Sequence, residues 1–276
     1  MSVSLPPLHK RAGNWLLDTY ETAVITLDGI TPLAITFNRG WTATEGTSFT
    51  VRNLLTGAVL AQKSWTGGLG SAIVISGAIH LFGSTNWGAN GNAIIHSVLD
   101  AGFNPSTPTT ILQSNSSYRI YNTDICATPC GFTMTYETTS GIYFLTSTDG
   151  ASFSPVLNAS IHQGQYCACP SIDRIDGWYY LTYLSSLEGK YVTQVSRSQD
   201  LINWQDFTGN AKYPAYICLL APDGNGEGIN TSDVSMVECS GKVYGVYLIG
   251  DQTTYGHQRT FVYLGTKQQL FQEFFP

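Results

Sequence analysis

Along this chain apolar and polar positions alternate in short runs, and the 3.6-residue period of an amphipathic helix is almost absent. The runs are rich in Val, Ile, Thr, Tyr and Phe and are broken by Gly, Asn, Asp and Ser, which is the pattern of strands and tight turns. AVITL (23–27), AIVIS (72–76), FTMTYE (132–137), WYYLTYL (178–184), KVYGVYLI (242–249) and TFVYL (260–264) are the clearest. The pattern predicts an all-β chain.

The runs repeat as a larger unit: a polar residue, a strand, a turn with Gly, then an aromatic strand. It occurs at 21–37, 70–84, 123–137, 169–184 and 232–250, with turn glycines Gly29, Gly77, Gly131, Gly177 and Gly241. A second unit follows it, HSVLDAGFNPS (96–106), TSTDGASFSPV (146–156) and SRSQDLINWQDF (196–207). In this unit Asp100, Asp149 and Asp200 are expected to accept backbone N–H groups at tight turns. Phe103, Phe153 and Trp204 just after them are expected to plug the gaps between sheets. Residues 49–65 and 260–275 read as degenerate copies of the second unit. Two hairpins per repeat make a four-stranded antiparallel sheet, and repeats of this length with four strands indicate propeller blades. The expectation is a five-bladed β-propeller forming one domain over 1–276, with 1–14 as an N-terminal extension.

Composition narrows the function. Charged residues are 12% of the 276, about half the usual ~25%. The net charge is -6 and there is no Lys/Arg cluster, so a nucleic-acid partner is not expected. No apolar stretch is long enough to span a bilayer, and residues 1–15 lack a basic region followed by an apolar run. The expected setting is therefore off the membrane: cytoplasmic, virion-associated or exported by another route. The six cysteines read as small buried hydrophobes. No phosphate-cradling glycine motif calls for a nucleotide cofactor.

In a propeller the first strand of each blade lines the channel, and its start shares one mouth with the end of the second strand. First-strand starts place Asp18, Glu21, Ser71, Thr123, Asp124, Cys169–Ser171, Ser232 and Asp233 there. Second-strand ends place Asn38, Arg39, Thr85, Asn86, Glu137, Ser185, Ser186, Asp251 and Gln252 there. Only 19 acids exist in the chain. Six of them (Asp18, Glu21, Asp124, Glu137, Asp233 and Asp251) project to this one rim. Glu21 and Asp233 even share one phase, eight residues before their turn glycine. Crowded carboxylates push at least one pKa upward. One neutral carboxylic acid beside one carboxylate is what glycoside hydrolysis requires. A divalent cation in the channel beside Asp124 or Asp233 is compatible with the same acids, although no metal-ligand motif is present.

These residues resemble the five-bladed propeller glycoside hydrolases, the group of arabinanases, xylosidases, fructosidases and α-neoagarobiose hydrolases. The resemblance runs through LLDTYETAVITLDG (16–29), FTMTYE (132–137), ACPSIDRIDGWYYLTYL (168–184), VSRSQDLINWQDF (195–207) and NTSDVSMVECSGKVYGVYLIGDQ (230–252). It implies a glycosidase acting on a poly- or oligosaccharide, with Asp18 or Glu21 as base or nucleophile. Asp124 or Glu137 would act as acid or tune pKa values, and Asp233 completes the set. Many relatives carry an acid at the first-strand start of a middle blade, where this chain has Cys169, and His162 is an alternative proton donor. For the sugar, Arg39, Trp87, His162, Asp251, Gln252 and His257 are the expected contacts, with Trp41, Tyr166 and Tyr255 as further aromatic platforms. The competing reading is a non-catalytic carbohydrate-binding propeller on a virion or cell surface, which the loss of an acid at Cys169 would suit.

Overall fold

The computed structural model describes residues 8–10, 16–17, 21–39, 43–161, 166–210, 212, 218–224, 226–251, 253 and 256–276. Two short strands come first, β1 (His9–Lys10) and β2 (Leu16–Leu17). Four strands then form blade one: β3 (Thr22–Thr26), β4 (Pro32–Asn38), β5 (Ser48–Asn53) and β6 (Val59–Ser64). Blade two is β7 (Gly68–Ile75), β8 (Ala78–Ser84), β9 (Ala93–Leu99) and β10 (Thr109–Gln113). Blade three is β11 (Ile120–Thr128), β12 (Gly131–Thr138), β13 (Gly141–Ser147) and β14 (Ser154–Ile161). Blade four is β15 (Cys167–Ile175), β16 (Trp178–Leu187), β17 (Lys190–Ser198) and β18 (Gln205–Asp206). Blade five has β19 (Asn230–Cys239), β20 (Lys242–Gly250) and β21 (Gly256–Tyr263). Its outer edge is completed by β1 and β2, both antiparallel to β21. The first strands touch in the cyclic order β3, β7, β11, β15, β19 and back to β3, so the ring closes. This is a five-bladed β-propeller.

The turns explain why the hairpins form where they do. Ser76–Gly77, Asp176–Gly177 and Ser240–Gly241 all have both residues at positive φ, the type I′ geometry that matches strand twist. Asp149 Oδ1 accepts Ala151 N and Ser152 N at 2.8 and 2.7 Å, and these bonds hold its carboxyl down at about 2. Asp200 and Asp100 cap their turns in the same way. The aromatics that follow them bridge blades. Trp204 of blade four stacks on Phe144 of blade three at 5.3 Å, and Phe153 meets Phe82 of blade two edge-on at 5.9 Å. Such ring pairs add about 1 kcal/mol each beyond their buried area.

Each of five apolar clusters fills one interface between neighbouring blades. The largest joins blades four and five and takes in Leu270, Phe271, Phe274 and Phe275 from the C-terminal segment. That segment corrects the reading of 260–275 as a degenerate strand pair. β21 is a strand, but a helix, α1 (Lys267–Gln272), follows it. The reason is local: Thr266 and Gln269 form a reciprocal capping box that starts a helix. The fourth strand of blade five comes from the N-terminus, including His9–Lys10 within the stretch read as an extension.

Blade two carries a close pair of imidazoles, His96 buried and His80 half-buried. His80 Nδ1 lies 2.9 Å from His96 Nε2, and His96 stacks on Phe82. Burial, with the His80 charge second, depresses His96 to about 4. A folded pKa below the unfolded value of ~6.5 means the neutral form is favoured, so this stability is lost as pH falls from about 6.5 towards 4. The melting temperature is therefore expected to drop over that window. A His96→Gln variant should show a shallower pH slope there by calorimetry, and an equal slope would contradict the assignment.

Candidate functional site

The site is built by one backbone device used four times. Each of β7, β11, β15 and β19 carries a bulge, between Gly68 and Ser71, Tyr121 and Asp124, Ala168 and Ser171, and Ser232 and Ser235. Two residues on the inner strand oppose one on its partner, which re-aims a side chain. The first residue of each bulge, Leu69, Asn122, Cys169 or Asp233, has φ between 47° and 50°. Left-handed backbone in non-glycine residues costs on the order of 1 kcal/mol or more each, and such strain gathers at functional sites. In blade one Glu21 holds the corresponding place directly before β3. The ring of five is thus Glu21, Leu69, Asn122, Cys169 and Asp233, and all five line a pit in the channel together with Ser71, Thr123, Asp124, Pro170 and Ser171.

Three carboxyl groups surround Cys169. Glu21 is buried, and Arg39 Nη2 lies 3.3 Å from its Oε1. Burial lifts Glu21 to about 7, with Arg39 opposing and the Asp233 charge adding to the rise. Glu21 Oε2 is buried and has no hydrogen-bond partner among the described residues. Asp233 is raised by burial and opposed by hydrogen bonds from Cys169 and Ser232 and by Arg39. Glu137, at the end of β12, accepts Asn122 Nδ2 at 2.7 Å and Cys169 N at 2.9 Å, both on Oε2. Burial pushes it to about 7; those two donors oppose the rise and Asp233 reinforces it. Burial, then the charges of Asp233 and Glu137, drive the Cys169 thiol well above its ordinary range, so it stays protonated.

Asp124 reaches the channel but sits beyond the bulge, one step deeper. Its Oδ2 accepts Ser171 Oγ at 2.7 Å and Ile172 N at 2.8 Å, and burial raises it to about 6. Arg39 lies against Trp87, 5.5 Å from guanidinium carbon to ring centroid, and the same indole packs over Gly68. Trp87 is thus half-buried beside the rim. Tyr166 is 55% exposed, its ring tilted against Tyr191 at 5.7 Å. The charges of Glu137 and Asp233 bear on Tyr166, which places it beside the pit. Asp251 and His257 are not among the described residues that line the pit. Asp251 Oδ1 caps a turn through Thr253 N, and His257 lies on β21, the third strand of its blade, paired with Ile249. Asp18, Trp41, His162, Gln252 and Tyr255 fall outside the described residues.

Asn122 and Tyr121 were not singled out from the sequence. Asn122 stands nine residues before Gly131, not eight, because the blade-three turn is Pro129–Cys130 and Gly131 already belongs to β12. Counting six residues back from the last paired residue of each first strand finds all four bulge positions. Among the described residues no three His, Cys, Asp or Glu side chains converge to hold a metal ion. The pit is lined by the carboxylates of Glu21, Asp124 and Asp233 and by the hydroxyls of Ser71 and Thr123.

No family model matches the sequence, and no curated protein sequence matches it. Solved structures do match the fold. A structure described as a glycoside hydrolase shares 15% identity at a TM-score of 0.67, over 94% of this chain and 92% of that one. The native arabinanase of Bacillus subtilis matches at a TM-score of 0.62 with 14% identity, over 91% and 96%. The α-L-arabinofuranosidase of Podospora anserina, solved with cellotriose, matches at 0.65 with 10% identity, over 95% and 94%.

Proposed function

We propose that this propeller is a glycoside hydrolase that cleaves a poly- or oligosaccharide at the acid-lined channel mouth. The observation that carries the reading is the convergence of Glu21, Asp233 and Glu137, from blades one, five and three, around one buried pit. Carboxyl groups held near 7 are poised to exchange protons at neutral pH. Three interacting acids titrate as a set, so the pH profile reports the cluster. Arg39 favours the carboxylate of Glu21, which suits it to act as base or nucleophile. Tyr166 and Trp87 offer ring faces on which a sugar can stack. The shared fold with an arabinanase and an arabinofuranosidase makes pentose-containing oligosaccharides the first substrates to try. The chemistry needs no metal, since two carboxyl groups and a water supply every proton and bond.

The test is direct. Incubation with arabino-oligosaccharides, xylo-oligosaccharides and algal oligosaccharides should release sugar from at least one class. Binding to a sugar without any release would favour a lectin in place of a hydrolase.

Arg39 supplies a second check. Removing its cation should raise the Glu21 pKa further. A base must be ionised, so activity falls as pH drops through that pKa. Arg39→Met should therefore move the acidic limb of kcat/KM to higher pH, with a loss of about tenfold or more at pH 6 that narrows by pH 8. A uniform loss at every pH would show that Arg39 acts only on binding or folding.

A further inference from the structure

Resting on the hydrolase reading, we propose that the proton donor of this site is Glu137, delivered by the second strand of blade three to the gap that Cys169 leaves in the first-strand ring. The ring positions hold only two carboxyl groups, Glu21 and Asp233. The remaining three are Leu69, which cannot donate a proton, Asn122, which has no acidic proton, and Cys169, whose thiol burial makes too weak an acid. Glu137 fills the deficit from outside the ring. It stands opposite Tyr121 in the β11–β12 ladder, one residue nearer the mouth than Asn122. Two ring members turn towards it: Asn122 through Nδ2 and Cys169 through its backbone N–H, both to Oε2. The left-handed backbone at Cys169 thus has a use, because the Cys169 amide bonds Glu137 within the bulge, where the ladder to β16 is interrupted. With two donors on Oε2, the carboxyl proton resides on Oε1.

Charge separates the roles. Arg39 contacts Glu21 and its field reaches Asp233, so these two tend towards carboxylates. Burial, and then the Asp233 charge, favour the neutral form of Glu137 against the donors Asn122, Cys169 and Tyr121. Asp124 is the competing donor from the same blade. Its Oδ2 accepts two donors as Glu137 Oε2 does, but it lies beyond the bulge and the charge that bears on it is that of Asp173, deeper in the channel. In the reaction the Glu137 proton passes to the glycosidic oxygen as the bond from that oxygen to the anomeric carbon breaks, and the bonding pair stays on the oxygen. Water supplies hydroxyl to the carbon, directly or after an ester on a carboxylate, and its surplus proton goes to a carboxylate of the cluster.

The experiment compares leaving groups. For Glu137→Gln, kcat/KM is measured on the oligosaccharide that the wild type hydrolyses and on the 2,4-dinitrophenyl glycoside of its terminal sugar. A dinitrophenolate leaves without protonation. The expected loss is about 10²–10⁴-fold on the oligosaccharide and less than about tenfold on the aryl glycoside. Equal losses on both, or none, would overturn the assignment while leaving the hydrolase reading intact. A wild type that cleaves nothing would overturn both. Asn122→Leu gives an independent readout from a positioning residue. Losing its N–H donor should raise the Glu137 pKa and move the alkaline limb of the pH profile upward, and an unmoved limb would contradict the proposal.

Discussion

Glu21→Gln is expected to lower kcat/KM by about 10³-fold or more, equivalent to about 4 kcal/mol of transition-state stabilisation, while the protein still binds its oligosaccharide. The amide keeps the shape and the Arg39 contact but can neither accept a proton nor form an ester. The folded state should not suffer, because Glu21 is a buried carboxyl raised by burial and carries an Oε2 with no partner among the described residues. Replacing it with a neutral isostere removes a desolvation cost that exceeds the pairing with Arg39, since the two together still leave the Glu21 carboxyl raised. The melting temperature should therefore hold or rise, most clearly at alkaline pH. The reason is one of sign: a folded pKa above the unfolded value of ~4.3 destabilises the fold as pH rises through that interval, and the variant is spared this. Steady-state kinetics beside calorimetry measures both. Retained turnover would remove Glu21 from the chemistry.

Glu227→Ala is expected to cost about 3–5 kcal/mol of stability. Glu227 is fully buried and receives Lys10 Nζ at 3.0 Å on both oxygens, Tyr247 Oη at 2.8 Å and Asp223 N at 2.9 Å. Arg259 Nη1 lies 3.9 Å away. Lys10 belongs to β1, so this carboxylate ties the N-terminal strand onto blade five. Removing it leaves two cations beside a low-dielectric pocket. Chemical denaturation should show the loss. A double-mutant cycle with Lys10→Met should show coupling above about 0.5 kcal/mol. A variant as stable as the wild type would mean that the strand is held by its backbone pairing alone.

The blade count was legible because each first-strand hairpin has to reverse tightly, and glycine at positive φ marks the spot at Gly77, Gly177 and Gly241. The same phase picked out Glu21, Cys169 and Asp233, since the distance from turn to channel mouth is fixed by strand length. It failed for Asn122, where a Pro–Cys turn displaces the glycine. Between β18 and β19 the chain carries an insertion. That insertion showed in the sequence only as the long interval from Gly177 to Gly241. In the fold it packs Glu227 against blade five, and Gly250 N at the end of β20 donates to Glu227 O at 3.0 Å. The bulges themselves have no signature that alternation could reveal. Leu, Asn, Cys and Asp at the four sites share a backbone conformation and no side-chain chemistry. The C-terminal helix was obscured by its aromatics, although Thr266 and Gln269 already spelled a helix start.

The central claim is that side chains from blades one, three and five act on one glycosidic bond. Crystals of the Glu21→Gln protein soaked with the oligosaccharide that the wild type hydrolyses test it most directly. The sugar should lie across the pit, with its glycosidic oxygen about 3 Å from the Glu137 carboxyl and its anomeric carbon facing residue 21. An oligosaccharide bound on the outer strands or at the far channel mouth, with the acids untouched, would contradict the account.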